Sequence, residues 1–299
     1  MTPKQQLFLA REWLAQARPA YVVEVEQVRG STPRESGARM LVSLQDVIGT
    51  IGGGHLEWQA VTMARQALAE CAQHHRPLTA WSHDFALGPS LGQCCGGALR
   101  LSFQPVDAAL LEAWALRLPQ PRFHLELHGA GHVGQAIIHI LRDIDCTVRW
   151  IDERDPPSRQ HESDHHSRQN TSTIGLPSPD TLVSLPDHIT WCPTDDAEAE
   201  VAVAPPNACH LVLTHRHDLD LRLVHAILKQ GGASFVGMIG SQTKRAQFRK
   251  RLAERGLAEA VVNQLHCPIG LPTIEGKEPG VIAVSVVAQL LSSQPRPTQ

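Results

Sequence analysis

The chain has 299 residues, with 27 Lys and Arg against 30 Asp and Glu and a formal net charge of -3. That balance removes the general electrostatic case for nucleic acid or an anionic membrane surface and leaves a small molecule or a protein as the expected partner. The length suits two domains. The longest strongly apolar run, VIAVSVVAQLL, is far too short to span a bilayer, and the opening MTPKQQLFLAREWLAQA lacks the features of a signal peptide, so a cytoplasmic protein is expected.

In chain order, helical spacing predicts an amphipathic helix from about residue 4 to 18, ending before Pro19. AYVVEVEQVRG alternates as a half-buried strand, GSTPRESGARMLVS reads as a turn-rich loop and a strand, and VIGTIGGGHLEWQAVTMARQALAECAQ as strand, glycine loop and long helix. GALRLSF returns to strand, and the short helix VDAALLEAWALRL with LPQPR closes a mixed α/β domain placed at 1–118. The remainder, 119–299, opens with strand, glycine turn, helix and strand over RFHLELHGAGHVGQAIIHILRDIDCTVRWIDERD. Further strands are expected in CHLVLTH, ASFVGMIG and LVSLPDHITWC, with helices in DLRLVHAILKQ and KRAQFRKRLAERG. Alternation of this kind predicts a Rossmann-like parallel sheet covered on both faces, with residues 155–187 as an irregular excursion.

Gly129, Gly131 and Gly134 form a GxGxxG that follows an apolar strand and opens a helix, and Asp152 ends the next strand. The glycines serve a tight turn, a close approach to a diphosphate and helix–strand packing, and the helix N-terminus offers unpaired N–H groups to an anion. This motif speaks for a fold, and nicotinamide chemistry does not follow from a fold. Gly52, Gly53 and Gly54 lack the GK[ST] ending of a P-loop and read either as a turn capping the next helix or as a backbone nest for an anion, with His55 and Glu57 near it.

Arg34, Glu35 and Arg39 surround a proline turn, where exposed charges are ordinary. Thr214, His215, Arg216 and His217 sit at a strand's C-terminal end, where open sheets bind ligands, with Asp218 or Asp220 as N-cap of the following helix. Gly240, Ser241 and Lys244 follow another strand, and Pro279 starts a helix. His161, His165 and His166 fall in a polar stretch and read as solvated.

Seven cysteines stand at 71, 94, 95, 146, 192, 209 and 267, without a CxxC pair, so free thiols are expected rather than a disulfide framework or a structural zinc site. Adjacent cysteines also make a strained disulfide. Gln93, Cys94 and Cys95 precede two glycines, a setting in which backbone N–H groups lower a thiol pKa and leave room for a bulky ligand. Soft thiolate suits a soft metal centre.

Together GSTPRESGARMLV, GTIGGGHLEWQA, LGQCCGGALRL, GAGHVGQA with WIDERD, LTHRHDLD, FVGMIGSQTKR and GLPTIEGKEPGVIAVSVVAQLL resemble the XdhC family of xanthine dehydrogenase accessory proteins, from about residue 21 to 291. The resemblance implies a carrier, often dimeric, that is not itself an enzyme. It binds and shields molybdenum cofactor (molybdopterin), contacts a cysteine desulfurase during sulfuration, and delivers the cofactor to the molybdenum subunit of apo xanthine dehydrogenase. By that analogy the cofactor lies near Cys94 and Cys95, with molybdenum contact by either thiol. IGGG and the Rossmann crevice are candidate phosphate-binding elements, and a nucleotide in the Rossmann unit is left open. Val281 stands where an acid would be expected by the same analogy. The alternatives are a relative serving an aldehyde oxidase, carbon monoxide dehydrogenase or formate dehydrogenase, and, from a different class, an NAD(P)-dependent oxidoreductase.

Overall fold

A computed structural model describes residues 1–87, 96–154 and 175–294. The chain divides into two units, Met1–Pro119 and Gln120–Gln299.

The first unit runs α1 (Pro3–Ala15), β1 (Ala20–Arg29), β2 (Arg39–Ser43), β3 (Val47–Gly49), α2 (Gly54–His74), β4 (Trp81–Ala86), β5 (Ala98–Pro105) and α3 (Ala108–Leu116). Thr2 caps α1 through a reciprocal bond with Gln5, so the helix begins where an N-cap and Pro3 both favour it. The sheet is antiparallel, in the order β3-β2-β1-β5-β4. One face packs Val23, Val25, Met40 and Val42 against Leu56, Ala60, Ala64 and Leu68 of α2. The other packs Val22 and Leu41 against Leu7, Ala10 and Trp13 of α1 and Leu111 and Trp114 of α3. β1 is therefore buried on both faces from Ala20 to Val23 and exposed from Glu26 to Arg29, which refines the half-buried strand expected from its sequence.

The second unit runs β6 (His124–His128), α4 (His132–Leu141), β7 (Thr147–Asp152), α5 (Pro179–Val183), β8 (Ile189–Pro193), α6 (Ala197–Ala202), β9 (Cys209–Val212), α7 (His217–Gln230), β10 (Phe235–Met238), α8 (Gln242–Glu254), α9 (Glu259–Val262), β11 (Leu265–His266) and α10 (Pro279–Ser293). All its strands are parallel, ordered β11-β10-β9-β6-β7-β8. The order reverses between β6 and β9, the point at which such sheets open a crevice beyond their carboxyl ends. Leu125, Leu127, Val148 and Trp150 face α4 and α10, with Ile137, Leu141, Ala283 and Leu290. Ile151, Val212 and Met238 face α6, α7 and α8, with Val201, Leu223 and Phe248. The mixed first unit and the Rossmann-like second unit are the architecture expected from the sequence. α5 falls inside the stretch expected to be irregular, and β4, α6, α9 and β11 had not been expected.

Candidate functional sites

In the first unit the structure gathers three stretches that are far apart in sequence. A Cβ on Gly97 would lie 2.4 Å from Ser31 O and 2.6 Å from Arg29 O, so the start of β5 touches the GST turn directly. Gly52, at φ +125°, has Pro33 within 2.7 Å of a Cβ position, so the same turn touches the IGGG loop. Arg34 bridges the two, donating from Nη1 to Thr50 O at 3.4 Å while its Nη2 meets Glu35 Oε1 at 3.1 Å. The hairpin β4–β5 closes on the same edge through Leu87 N to Gly97 O at 2.8 Å. Gln93, Cys94 and Cys95 lie outside the described residues, as do His161, His165 and His166.

The IGGG loop does not stand open to an anion. Glu57, in the first turn of α2, accepts from Thr50 Oγ1 at 2.6 Å, from Ile51 N at 3.1 Å and from Gly53 N at 3.1 Å. Gly52 N donates to Thr50 Oγ1 at 3.1 Å. The chain's own carboxylate thus takes the place an anionic ligand would have in a backbone nest, which also suits the positive end of the helix. His55 turns away from the loop, with Nε2 3.0 Å from Gln59 Nε2 and its ring stacked on Trp58 at 5.4 Å between centroids. No side chain caps α2, whose N-cap is Gly53. The half-exposed Arg34 is a cation at this edge, and the exposed Arg29 is another.

The second unit shows the same economy at its glycine turn. A Cβ on Gly134 would sit 2.3 Å from Gly129 O, so α4 packs onto the turn through a bare glycine. Gly131 is the N-cap of α4. Asp152, buried at the end of β7, accepts from Ala130 N at 2.7 Å and from Arg154 N at 2.9 Å. Its two oxygens also receive Arg154 Nε and Nη2, each at 2.8 Å, a bidentate pair. The acid that a dinucleotide's ribose would need is already held by its own chain. Gln135 further ties Ala130 O, at 3.0 Å, to Gly175 O, at 2.6 Å.

Across the switch point, Thr214 donates its N–H, at 3.1 Å, and its hydroxyl, at 2.7 Å, to Asp220 Oδ1. Asp220 is fully buried, and Lys244 Nζ reaches Oδ2 at 2.7 Å and Ile239 O at 3.0 Å. Neither Asp218 nor Asp220 is the N-cap of α7: that place belongs to Arg216, which makes no side-chain capping bond. Asp218 pairs instead with Arg216, and Asp220 is a buried link between α7, α8 and the end of β9. His215 is exposed and, with Thr214, Gly129 and Asp152, borders a cavity of about 10 Å³.

Sequence reasoning missed Glu57 as the group that fills the nest, Arg154 as the partner of Asp152, and Lys244 as the partner of Asp220. A signal existed for the first, since an acid in the opening turn of a helix is favoured by the helix dipole. Of the other described free cysteines, Cys146, Cys209 and Cys267 are buried in the core whereas Cys71 and Cys192 are half-buried, and burial pushes the Cys146 thiol up to about 12 and raises Cys192, Cys209 and Cys267 as well. Among the described residues no three His, Cys, Asp or Glu side chains could hold a metal, and no helix is long and apolar enough to cross a membrane.

Residues 125–290 match the family described as the XdhC Rossmann domain, and residues 13–77 match the XdhC and CoxI family. The chain is 27% identical over 276 residues to the uncharacterized protein YqeB of Escherichia coli strain K12, covering 91% of this chain and 43% of that protein. It thus spans less than half the length of this curated relative. A crystal structure titled a xanthine dehydrogenase from Bacillus halodurans superposes with a TM-score of 0.67 at 17% identity, covering 98% of this chain and 96% of that one, a likeness of fold. With one family's model matching more than half of the sequence, the chain belongs to the XdhC family.

Proposed function

We propose that this protein is an accessory carrier that holds and shields molybdenum cofactor, supports its sulfuration by a cysteine desulfurase and delivers it to apo xanthine dehydrogenase in the cytoplasm. Family membership is the observation that carries the reading. The edge formed by the GST turn, the IGGG loop and the root of the β4–β5 hairpin adds a physical reason, since Leu87 and Gly97, the described residues that flank the stretch bearing Cys94 and Cys95 in sequence, are bonded to each other there.

The group's chemistry fits part of this edge. Molybdenum held by a pterin dithiolene is a soft, sulfur-rich centre, for which Cys94 and Cys95 are suitable neighbours. A terminal phosphate matches Arg34, whose planar guanidinium binds such groups in a bidentate manner. The amides of Ile51 and Gly53 do not fit that role, because Glu57 holds both. In the reading proposed here Gly52, Gly53, Gly54 and His55 shape the rim, Gln93 borders the thiols, and Arg34 supplies the charge. The bound group supplies redox and sulfido chemistry only after transfer. The carrier's own residues bind, orient and exclude water.

Carriage is tested by mixing the purified protein with molybdenum cofactor anaerobically, passing it through gel filtration, and assaying the protein fraction for activation of cofactor-free xanthine dehydrogenase. The double variant Cys94→Ala/Cys95→Ala is expected to retain cofactor at least about tenfold less well, a loss of roughly 1.4 kcal/mol, without unfolding. Activation of a different molybdenum hydroxylase, but not of xanthine dehydrogenase, would reassign the target while keeping the carrier. Arg34 is examined in the same assay as Arg34→Ala, with weaker retention expected.

A further inference from the structure

The first unit carries a feature that neither its glycine loop nor its thiol stretch explains. Trp58, one residue beyond the Glu57 that fills the loop, is 62% exposed on α2. It is not a loose side chain. The His55 ring stacks on it at 5.4 Å between centroids and 25° between planes, and Gln59 Nε2, 3.0 Å from His55 Nε2, holds that imidazole in turn. The indole is therefore backed on one face by its own helix while most of the residue stays open to solvent. A single exposed apolar residue needs no explanation, but this one is a braced platform.

With Gln59, Thr62 and Met63 of α2 and with His83 and Phe85 of β4, Trp58 lines a groove of about 280 Å³. The strand wall has its own ring pair, His83 in a T-shaped contact with Phe85 at 4.7 Å, and Phe85 is buried in the core. β4 is an edge strand, so this wall is the border of the sheet. Among the described residues no carboxylate, ammonium or guanidinium lines the groove, which leaves a phosphate or a cation without a partner there. Two uncharged acceptors do line it. An amide nitrogen only donates, so the contact with His55 leaves Gln59 Oε1 to accept, and Thr62 Oγ1, which donates to Trp58 O at 2.8 Å, keeps its lone pairs. Aromatic faces, the thioether of Met63 and two acceptors suit a flat, uncharged ring with N–H donors on its rim. The volume falls just below the roughly 300–1,000 Å³ of pockets for drug-sized ligands, so it takes one fused-ring system rather than a whole cofactor.

We propose that this groove holds the pterin ring of the molybdenum cofactor, stacked on Trp58, with its N–H donors met by Gln59 and Thr62. The proposal rests on the carrier reading, which supplies the pterin, and it gives each part of that ligand its own chemistry: the phosphate to Arg34, molybdenum to the thiols, the ring to Trp58. The chain places these groups close in sequence as well. Trp58 follows the IGGG loop by about one helical turn, and Phe85 precedes by two residues Leu87, which is bonded to Gly97 at the hairpin root.

The full-length protein is titrated anaerobically with 6-hydroxymethylpterin, which has neither dithiolene nor phosphate, and quenching of the pterin's own fluorescence is read for the wild type, Trp58→Ala and Trp58→Phe. The wild type is expected to quench, Trp58→Ala to bind about tenfold more weakly, the scale of one ring stacked on an aromatic side chain, and Trp58→Phe to fall between them. Molybdenum and pterin retained after gel filtration are expected to fall in Trp58→Ala with its circular dichroism unchanged. Absence of Trp58-dependent quenching overturns the proposal, and if the wild type still retains cofactor, carriage stands without it. Trp58-dependent quenching by a protein that retains no cofactor removes carriage and keeps the groove as a pterin site. Guanosine has the same amino-pyrimidinone edge, and its displacing the pterin at equal or lower concentration would overturn the proposal in favour of a nucleobase. Loss of a dimer in Trp58→Ala, with no quenching by the wild type, would overturn it in favour of a second copy of the chain. Should Trp58→Ala fail to fold, Trp58→Phe takes its place.

Discussion

Asp220 shows how a single carboxylate can order a crevice without touching a ligand. It fixes Thr214 from both backbone and side chain and neutralises Lys244, whose side chain is only 11% exposed. Asp220→Asn leaves a buried ammonium without its counter-charge, so we expect a loss of about 3 kcal/mol in urea unfolding followed by circular dichroism. A change below about 0.5 kcal/mol would show that the pair contributes little. The sequence placed Asp220 at the right strand end but assigned it to capping, because Lys244, its partner, is 24 residues away and only the β9–β10 pairing brings it close. Asp152 was legible for a similar reason and to a similar depth. Its position at the end of β7 followed from pattern, whereas the return of Arg154 onto it depends on a side-chain rotamer that no spacing encodes.

At the scale of elements, long periodic segments were readable and short or exposed ones were not. α2 buries Leu56, Ala60, Ala64 and Leu68 at helical intervals, and its span was expected from them. β4 was overlooked since it is an edge strand with Ser82, His83, Asp84 and Ala86 exposed, and its run of polar residues masks the inward Phe85. The IGGG loop illustrates the limit most clearly: its glycines were read as an anion nest or a helix-capping turn, but the anion is Glu57 from the same chain. The glycine turn of the second unit rests on close packing, which gives a direct prediction. Gly134→Ala places a methyl 2.3 Å from Gly129 O. α4 must then shift, and we expect about 1–3 kcal/mol of destabilisation in thermal or urea unfolding. An unchanged midpoint would mean that the turn yields at no cost.

For the whole molecule, fold class and the Rossmann-like order of the second unit were written in the alternation of strands and helices and in GAGHVG, because those signals are local. The buried histidine pair was invisible, since HLELH puts Glu126 and His128 on one face of a strand but announces neither that this face is buried nor that β9 brings His210 to it. That pair makes stability depend on pH. Both imidazoles have pKa values below the ordinary 6.5, about 3 for His128 and about 4 for His210, chiefly because burial disfavours the charged form. From pH 6.5 downward the unfolded chain binds protons that the folded chain refuses, so stability falls with pH until the folded pKa values are reached. Denaturant midpoints compared between pH 7 and pH 5 should therefore drop more in the wild type than in His128→Phe. Equal drops would contradict the assignment.

The central claim is carriage of molybdenum cofactor at the first unit. Its most direct measurement is molybdenum and pterin content of the protein fraction after anaerobic gel filtration, wild type against Cys94→Ala/Cys95→Ala. Cofactor is expected on the wild type, with at least about tenfold weaker retention in a variant that is equally folded. Equal retention by both proteins, or no cofactor on the wild type, would contradict it.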